Sequence, residues 1–275
     1  MKPKWIIEHV FDDDTRNLID SLEATGTEYK VLSSVYDGQW DIYDPKDCVV
    51  TYGSIQFGHI VQRKAQWVPG HYCTDRHYLC SYYYRYFKNM LNDEYLFLPF
   101  GAILDKAEFI FDTLGADDAV FIRPDSGNKT FTGALCYKER FEFDFKLMGT
   151  YDPPPETMCL ISTPKNIEKE WRFFVVDWQI MCGSEYKPGR HDIVGTSIHS
   201  DGQWAWKMAQ QIVEKMEWQP DRAWCIDICK TKSGNFYVLE IGSFSSAGLY
   251  ECRTQHLVEE INRVALEEWR EYYEI

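Results

Sequence analysis

The chain has 275 residues, 45% hydrophobic and 26% charged, which excludes disordered and fibrous classes and allows one large domain or two lobes of moderate size. Its formal charge of −14 excludes nonspecific nucleic-acid binding, which needs clustered Lys and Arg, yet leaves room for a small nucleotide in a local basic pocket. Nine cysteines, odd in number and irregular in spacing, exclude a disulfide framework, and no run reaches the roughly 18 apolar residues of a membrane span.

The first strand signal covers 5–11, and the capping cluster Asp12-Asp13-Asp14-Thr15 opens a helix to about 22. Glu8 and His9 interrupt the apolar start, so it is not read as a secretory signal, and a cytoplasmic protein without membrane contact is expected. Further strands are predicted at 29–33 and 48–52, the second leading through Gly53-Ser54 into a helix. This alternation predicts a small α/β lobe with a partly parallel sheet over 1–92.

Pro69-Gly70 marks a turn, and the Tyr-rich segment 78–90 is predicted to be a helix. Residues 96–104 form a strand or connector, 105–114 a helix stopped by Gly115, 119–123 a strand, and 124–133 a loop rich in Gly, Ser and Thr. Asp152-Pro153-Pro154-Pro155 is a rigid connector. Strands follow at 158–162, 171–177 and 179–186, then an amphipathic helix at 204–216, a hairpin, and a closing helix at 254–273. A second domain of two subdomains is therefore expected over 93–275.

The hairpin carries one acid on each arm. Asp227 lies in Trp224-Cys225-Ile226-Asp227-Ile228-Cys229 and Glu240 in Phe236-Tyr237-Val238-Leu239-Glu240-Ile241. Buried carboxylates are costly unless paired or bound to a cation, so two facing each other suggest a divalent metal, which in turn usually holds phosphates. Alternation also permits two solvent-facing acids, but their same-face neighbours, Cys225, Cys229 and Val238, are apolar and favour the metal.

In the loop 124–133, Arg123 precedes Ser126, Gly127 and Lys129. Backbone N–H groups of such a loop can cover phosphates while Arg123 and Lys129 neutralise charge; a plain hairpin turn fits equally well. A third set, Glu168 to Lys187, reads as a hairpin turning at Asp177-Trp178, with Arg172 and Lys187 converging at its open end. Taken alone, that set reads as structural. His71, Cys73, His77 and Cys80 have ligand chemistry but fit no common zinc spacing. His191, Asp192, His199, Glu251 and Arg253 lie in loops where a second substrate could be touched.

Taken in this order, the three sets resemble the ATP-grasp fold over roughly 95–250. Leu104-Asp105-Lys106 looks like the family's nucleotide-binding Lys before a helix, and Phe121-Ile122-Arg123-Pro124 like its second basic strand before the mobile glycine loop. Residues 158–167 look like the hinge against adenine, with Ile161, Ser162 and Lys165 as its contacts, and 170–187 like the hairpin that holds the phosphates. Asp227 and Glu240 match the metal-binding acids. Arg123 stands where Lys is usual, as in a divergent subgroup known from bacteria and phages. Gly242 stands where an Asn usually ligates metal, and the hinge lacks its usual acid.

The resemblance implies an α/β architecture: a small N-terminal pre-ATP-grasp lobe, then a body whose two subdomains clamp the nucleotide. It implies ATP and Mg2+, with Lys106, Arg123, Ser126, Gly127 and Lys129 at the phosphates, Arg172 and Lys187 at the transferring phosphoryl group, and Asp227 and Glu240 at the metal. The expected activity joins a small-molecule carboxylate to an amine-type acceptor, or to a peptide or protein, through an acyl phosphate. The alternatives are a catalytically weakened nucleotide-binding or protein-interaction module, and phosphoryl transfer to another acceptor.

Overall fold

The structure, a computed structural model, describes residues 2–10, 12–33, 42–187, 191–192 and 200–274. At the N-terminal end the chain runs β1 (Lys4–Glu8), α1 (Asp12–Ala24), β2 (Glu28–Leu32), β3 (Cys48–Tyr52), α2 (Ile55–Lys64) and β4 (Val68–Gly70). The four strands form one parallel sheet in the order β2-β1-β3-β4. β3 is buried along its whole length, as a parallel strand covered on both faces must be. Ser54 caps α2, its hydroxyl accepting from the Phe57 N–H at 3.1 Å.

The middle of the chain contains α3 (Cys80–Tyr83), β5 (Tyr95–Pro99), α4 (Ala107–Leu114), β6 (Ala119–Pro124), β7 (Ala134–Tyr137), α5 (Phe141–Gly149) and β8 (Met158–Ser162). The strands make an antiparallel sheet in the order β5-β8-β6-β7, and α4 and α5 pack their apolar faces on it around Ile110, Ile122, Phe141, Phe145 and Ile161.

The long helix predicted over 78–90 is a correction. Only α3 and short 3₁₀ turns at Asp75–Tyr78 and Tyr84–Tyr86 are present. The apolar spacing is helical, but the backbone of Val238 pairs with this segment: Leu91 N–H donates to Val238 O at 2.8 Å and Val238 N–H to Asn89 O at 2.8 Å. Those bonds need extended chain after Phe87, and they override local propensity.

The remainder comprises β9 (Ile167–Val176), β10 (Gln179–Lys187), β11 (His191–Asp192), α6 (Asp201–Lys215), β12 (Ala223–Thr231), β13 (Phe236–Ser243) and α7 (Thr254–Tyr273). Its five strands form a sheet in the order β11-β10-β9-β12-β13. The β9–β10 turn at Asp177-Trp178 has φ of 46° and 69°, both positive, as the tight hairpin turn that matches strand twist requires.

Two compact units result: Met1–Thr74 with Lys169–Cys229 and Glu240–Ile275, and Asp75–Glu168 with Lys230–Leu239. In the first, one apolar core joins Trp5, Val50, Phe174, Cys225, Phe244 and Ile261, so the parallel sheet, the five-stranded sheet and α7 share their buried faces. Phe244 is the hub, its ring lying 6.0 Å from Trp5, 5.8 Å from Tyr52 and 6.0 Å from Phe174. Among the described residues no helix is long and apolar enough to cross a membrane.

Candidate functional site

The five-stranded sheet of the first unit carries a buried ion pair. β9 and β12 are neighbours, and their side chains form a fork: Arg172 Nε donates to Asp227 Oδ1 and Nη2 to Oδ2, each at 2.8 Å. The Asp227 side chain is 1% exposed and that of Arg172 12%. A buried acid of this kind is retained when a cation and hydrogen bonds meet its oxygens, and here Tyr186 Oη adds a third donor to Oδ2 at 3.1 Å.

The register explains how Tyr186 reaches. Arg172 lies opposite Ser184 and Glu170 opposite Lys187, with a bulge between Glu185 and Lys187. Alternation places Tyr186 with Ser184 on the face that carries Arg172, and the extra residue brings Lys187 onto that face beside Glu170. Tyr186 then stacks on Tyr250, centroids 4.9 Å apart at 11°, and the Arg172 guanidinium lies 5.6 Å and 5.3 Å from the two rings. Lys187 Nζ pairs with Glu170 Oε1 at 2.8 Å and remains 58% exposed. The two cations read from the hairpin therefore share a face, each with its own carboxylate.

Burial would lower the Arg172 guanidinium, but Asp227 outweighs it and holds Arg172 well above its ordinary value. Burial raises the Asp227 carboxyl against the pull of Arg172, and the charge of Glu240 adds to the rise. Glu240 is half-buried on the neighbouring strand β13. Two hard carboxylates fit a divalent cation by donor chemistry, and the Asp227 oxygens, which already accept from Arg172 and Tyr186, would have to be shared with it. Gly242 contributes no side-chain donor, and a Cβ there would meet Cys225 Sγ at 3.0 Å. No group of three or more His, Cys, Asp or Glu able to hold a metal occurs among the described residues, so water or a ligand's oxygens would have to complete such a shell.

In the second unit, Lys106 is exposed at the end of the 3₁₀ turn Leu104–Lys106. Arg123 lies on β6 opposite Leu160 of β8, and Ile161 is opposite Ile122. Ile161 and Ser162 are fully buried, and Ser162 Oγ has no hydrogen-bond partner among the described residues. Lys165 is 3.6 Å from both Asp93 and Glu94. In the loop after β6, Ser126 Oγ accepts from the Asn128 N–H at 3.0 Å, Gly127 and Lys129 are exposed, and Lys129 has φ 47°. Asp125 anchors the loop by accepting from the Ser81 N–H at 2.7 Å; burial raises its carboxyl, opposed by Ser81.

Several residues of these sites were not singled out in the sequence. Tyr186, Tyr250 and Glu170 carry no local signal beyond aromatic or charged character, and the bulge that sets Lys187 opposite Glu170 follows from strand register. His71, considered as a metal ligand, is instead a core hydrogen-bonding group between Thr51 Oγ1 at 2.9 Å and Ser246 Oγ at 3.0 Å. His199 lies outside the described residues, as do the side chains of His191 and Asp192. Glu251 and Arg253 are exposed.

No curated protein matches the chain in sequence. Among solved structures, D-cycloserine synthetase DcsG superposes with a TM-score of 0.61 at 11% identity, covering 96% of this chain and 99% of the other. The D-alanine–D-alanine ligase of Bacillus anthracis, complexed with ATP, gives 0.56 at 12% identity over 98% and 99%. The N5-carboxyaminoimidazole synthetase of Staphylococcus aureus, complexed with ADP, gives 0.53 at 15% over 90% and 70%. At these identities the likeness speaks for the fold. Residues 106–259 match the family described as ATP-grasp domain, R2K clade family 2, which is more than half of the sequence; the chain belongs to that ATP-grasp family.

Proposed function

We propose that the protein is an ATP-dependent ligase that activates a carboxylate as an acyl phosphate and passes the acyl group to an amine-type nucleophile. The observation that carries this reading is the buried Arg172–Asp227 fork with Glu240 on the adjoining strand β13. A cation and two acids of this kind supply the neutralisation that phosphoryl transfer needs, with no protein nucleophile required. A carboxylate oxygen of the substrate attacks the γ-phosphorus and ADP leaves. The amine then attacks the acyl carbon, phosphate leaves, and the amine proton goes to phosphate or solvent.

In this reading Arg172 and Lys187 hold the transferring phosphoryl group and the carboxylate. Asp227 and Glu240 would hold magnesium, which when bound would supply neutralisation of phosphate charge. Lys106, Arg123 and Lys129 meet the nucleotide phosphates, and the N–H groups around Ser126 and Gly127 cover them. Ile161, Ser162 and Lys165 border the base. Residues 1–92 would serve as the substrate-facing lobe and 93–275 as the nucleotide-binding body, working in the cytoplasm. The acceptor is a small amine, or the end of a peptide or protein.

The missing side-chain donor at Gly242 favours one rival, a nucleotide-binding module that no longer turns over. The test is release of ADP and phosphate from magnesium-ATP in the presence of a mixed pool of amino acids and small carboxylates. Stimulated release that is lost in Glu240→Ala supports the ligase. Nucleotide binding without release under every pool favours the module.

A further inference from the structure

The turn that carries Tyr250 is held from outside its own neighbourhood. Asp14, on the first turn of α1, is 5% exposed, and its two carboxylate oxygens accept from consecutive backbone N–H groups: Leu249 to Oδ2 at 2.9 Å and Tyr250 to Oδ1 at 3.1 Å. An acid in a helix's first turn is ordinarily spent on that helix's own N–H groups. Here both oxygens also reach a segment more than two hundred residues away.

Tyr250 needs that support. Its φ is 52°, a left-handed backbone that a bulky side chain rarely adopts and that persists where surrounding bonds fix it. The conformation puts the ring flat on Tyr186 and 5.3 Å from the Arg172 guanidinium, while Gly248 O accepts from Arg172 Nη1 at 3.4 Å. On its other side the turn is tied to β10, where the Glu251 N–H donates to Ser184 Oγ at 3.3 Å.

We infer that Asp14 is a positioning residue for Tyr250 and, through it, for the Arg172 guanidinium. The aromatic pair forms a wall that fixes the plane of the guanidinium, since cations sit over ring faces and Arg stacks on them. α1 thereby contributes to the site without touching a substrate. The inference rests on the proposed role of Arg172 only for its consequence in turnover; the geometric claim can be read without any substrate. Neighbouring bonds between α1 and the same stretch serve as a contrast: Asn17 Nδ2 donates to Cys252 O at 2.8 Å and Ser21 Oγ pairs with Thr254 Oγ1 at 2.7 Å. They tie the chain down after the turn and do not reach Tyr250.

The test records the side-chain Nε–H resonance of Arg172, assigned by its loss in Arg172→Lys, in the full-length protein. Asp14→Asn keeps the shape but leaves one acceptor oxygen, and Asn17→Ala controls for general loosening of α1. The expected result is a displaced Arg172 signal in Asp14→Asn, no displacement in Asn17→Ala, and no further displacement when Asp14→Asn is added to Tyr250→Leu. An unmoved signal in Asp14→Asn, or an equal displacement with Tyr250 already removed, overturns the inference. If wild type turns over ATP, kcat in Asp14→Asn should fall about tenfold with KM for ATP unchanged, and a fall in Asn17→Ala of the same size would reduce Asp14 to a structural tie. If wild type turns over nothing, the ligase reading fails while the resonance experiment still decides this one.

Discussion

Arg172 and Asp227 illustrate how a candidate site pair is also a structural commitment. Removing one member of a buried pair leaves the other charged and dry, which costs on the order of 3–5 kcal/mol. Asp227→Ala should therefore destabilise the protein by about that amount in urea melts, and Arg172→Met combined with Asp227→Leu should recover most of the loss. A cost below about 1 kcal/mol for the single substitution would mean that the pair behaves as an exposed ion pair. Asp227 and Glu240 were legible in the sequence because an acid inside an apolar strand is chemically conspicuous. Tyr186, Tyr250 and Asp14 were not. An aromatic residue reads first as core, and Asp14 sits in an acidic run that any helix start would carry.

At the scale of elements, the periodic patterns located most of the longer strands and most helices to within a few residues, while the short strands β4, β7 and β11 were not read as strands. Segment 78–90 has helical spacing yet is diverted by pairing with Val238. No element was read at α5, where Phe141, Phe143 and Phe145 alternate; the helix buries Phe141, Phe145 and Met148 and leaves Phe143 59% exposed. The bulge in β10 is invisible in composition because register is set between strands.

Helix packing at α2 offers a sharp check. A Cβ on Gly58 would lie 2.3 Å from His71 Nε2, and that imidazole is fixed at both nitrogens, so the helix or the ring must shift. Gly58→Ala should cost about 1–3 kcal/mol by overpacking. Gly149, at the end of α5, has nothing within 4 Å of an added Cβ, and Gly149→Ala should be neutral or stabilise by up to about 1 kcal/mol. Thermal melts of the two variants compare them directly, and equal effects would contradict the packing described for α2.

For the whole molecule, the resemblance carried by Lys106, Arg123, Arg172, Asp227 and Glu240 was enough to place the chain in its fold class, whereas the division into units depends on long-range contacts. The acidic balance of the chain also has a stability consequence on α7. Burial pushes the Glu268 carboxyl up to about 7 from an ordinary 4.5, opposed by Arg222. Between those values the folded state holds the proton that the unfolded state releases. The contribution of this group is therefore fully present below about pH 4.5 and is lost as pH rises to about 7. Glu268→Gln should flatten that part of the stability–pH curve and raise stability at pH 8 by on the order of 2–3 kcal/mol. An unchanged slope would show that Glu268 is ionised in the folded protein throughout.

The central claim, activation of a carboxylate as an acyl phosphate, is tested most directly by trapping. The protein would be incubated with magnesium-ATP, the carboxylate pool and hydroxylamine, and both the hydroxamate and the nucleotide product measured. ATP-dependent hydroxamate formed in step with ADP, and absent in Glu240→Ala, is the result expected. Hydroxamate accompanied by AMP and pyrophosphate, or ADP release under every pool with no hydroxamate, would contradict the account.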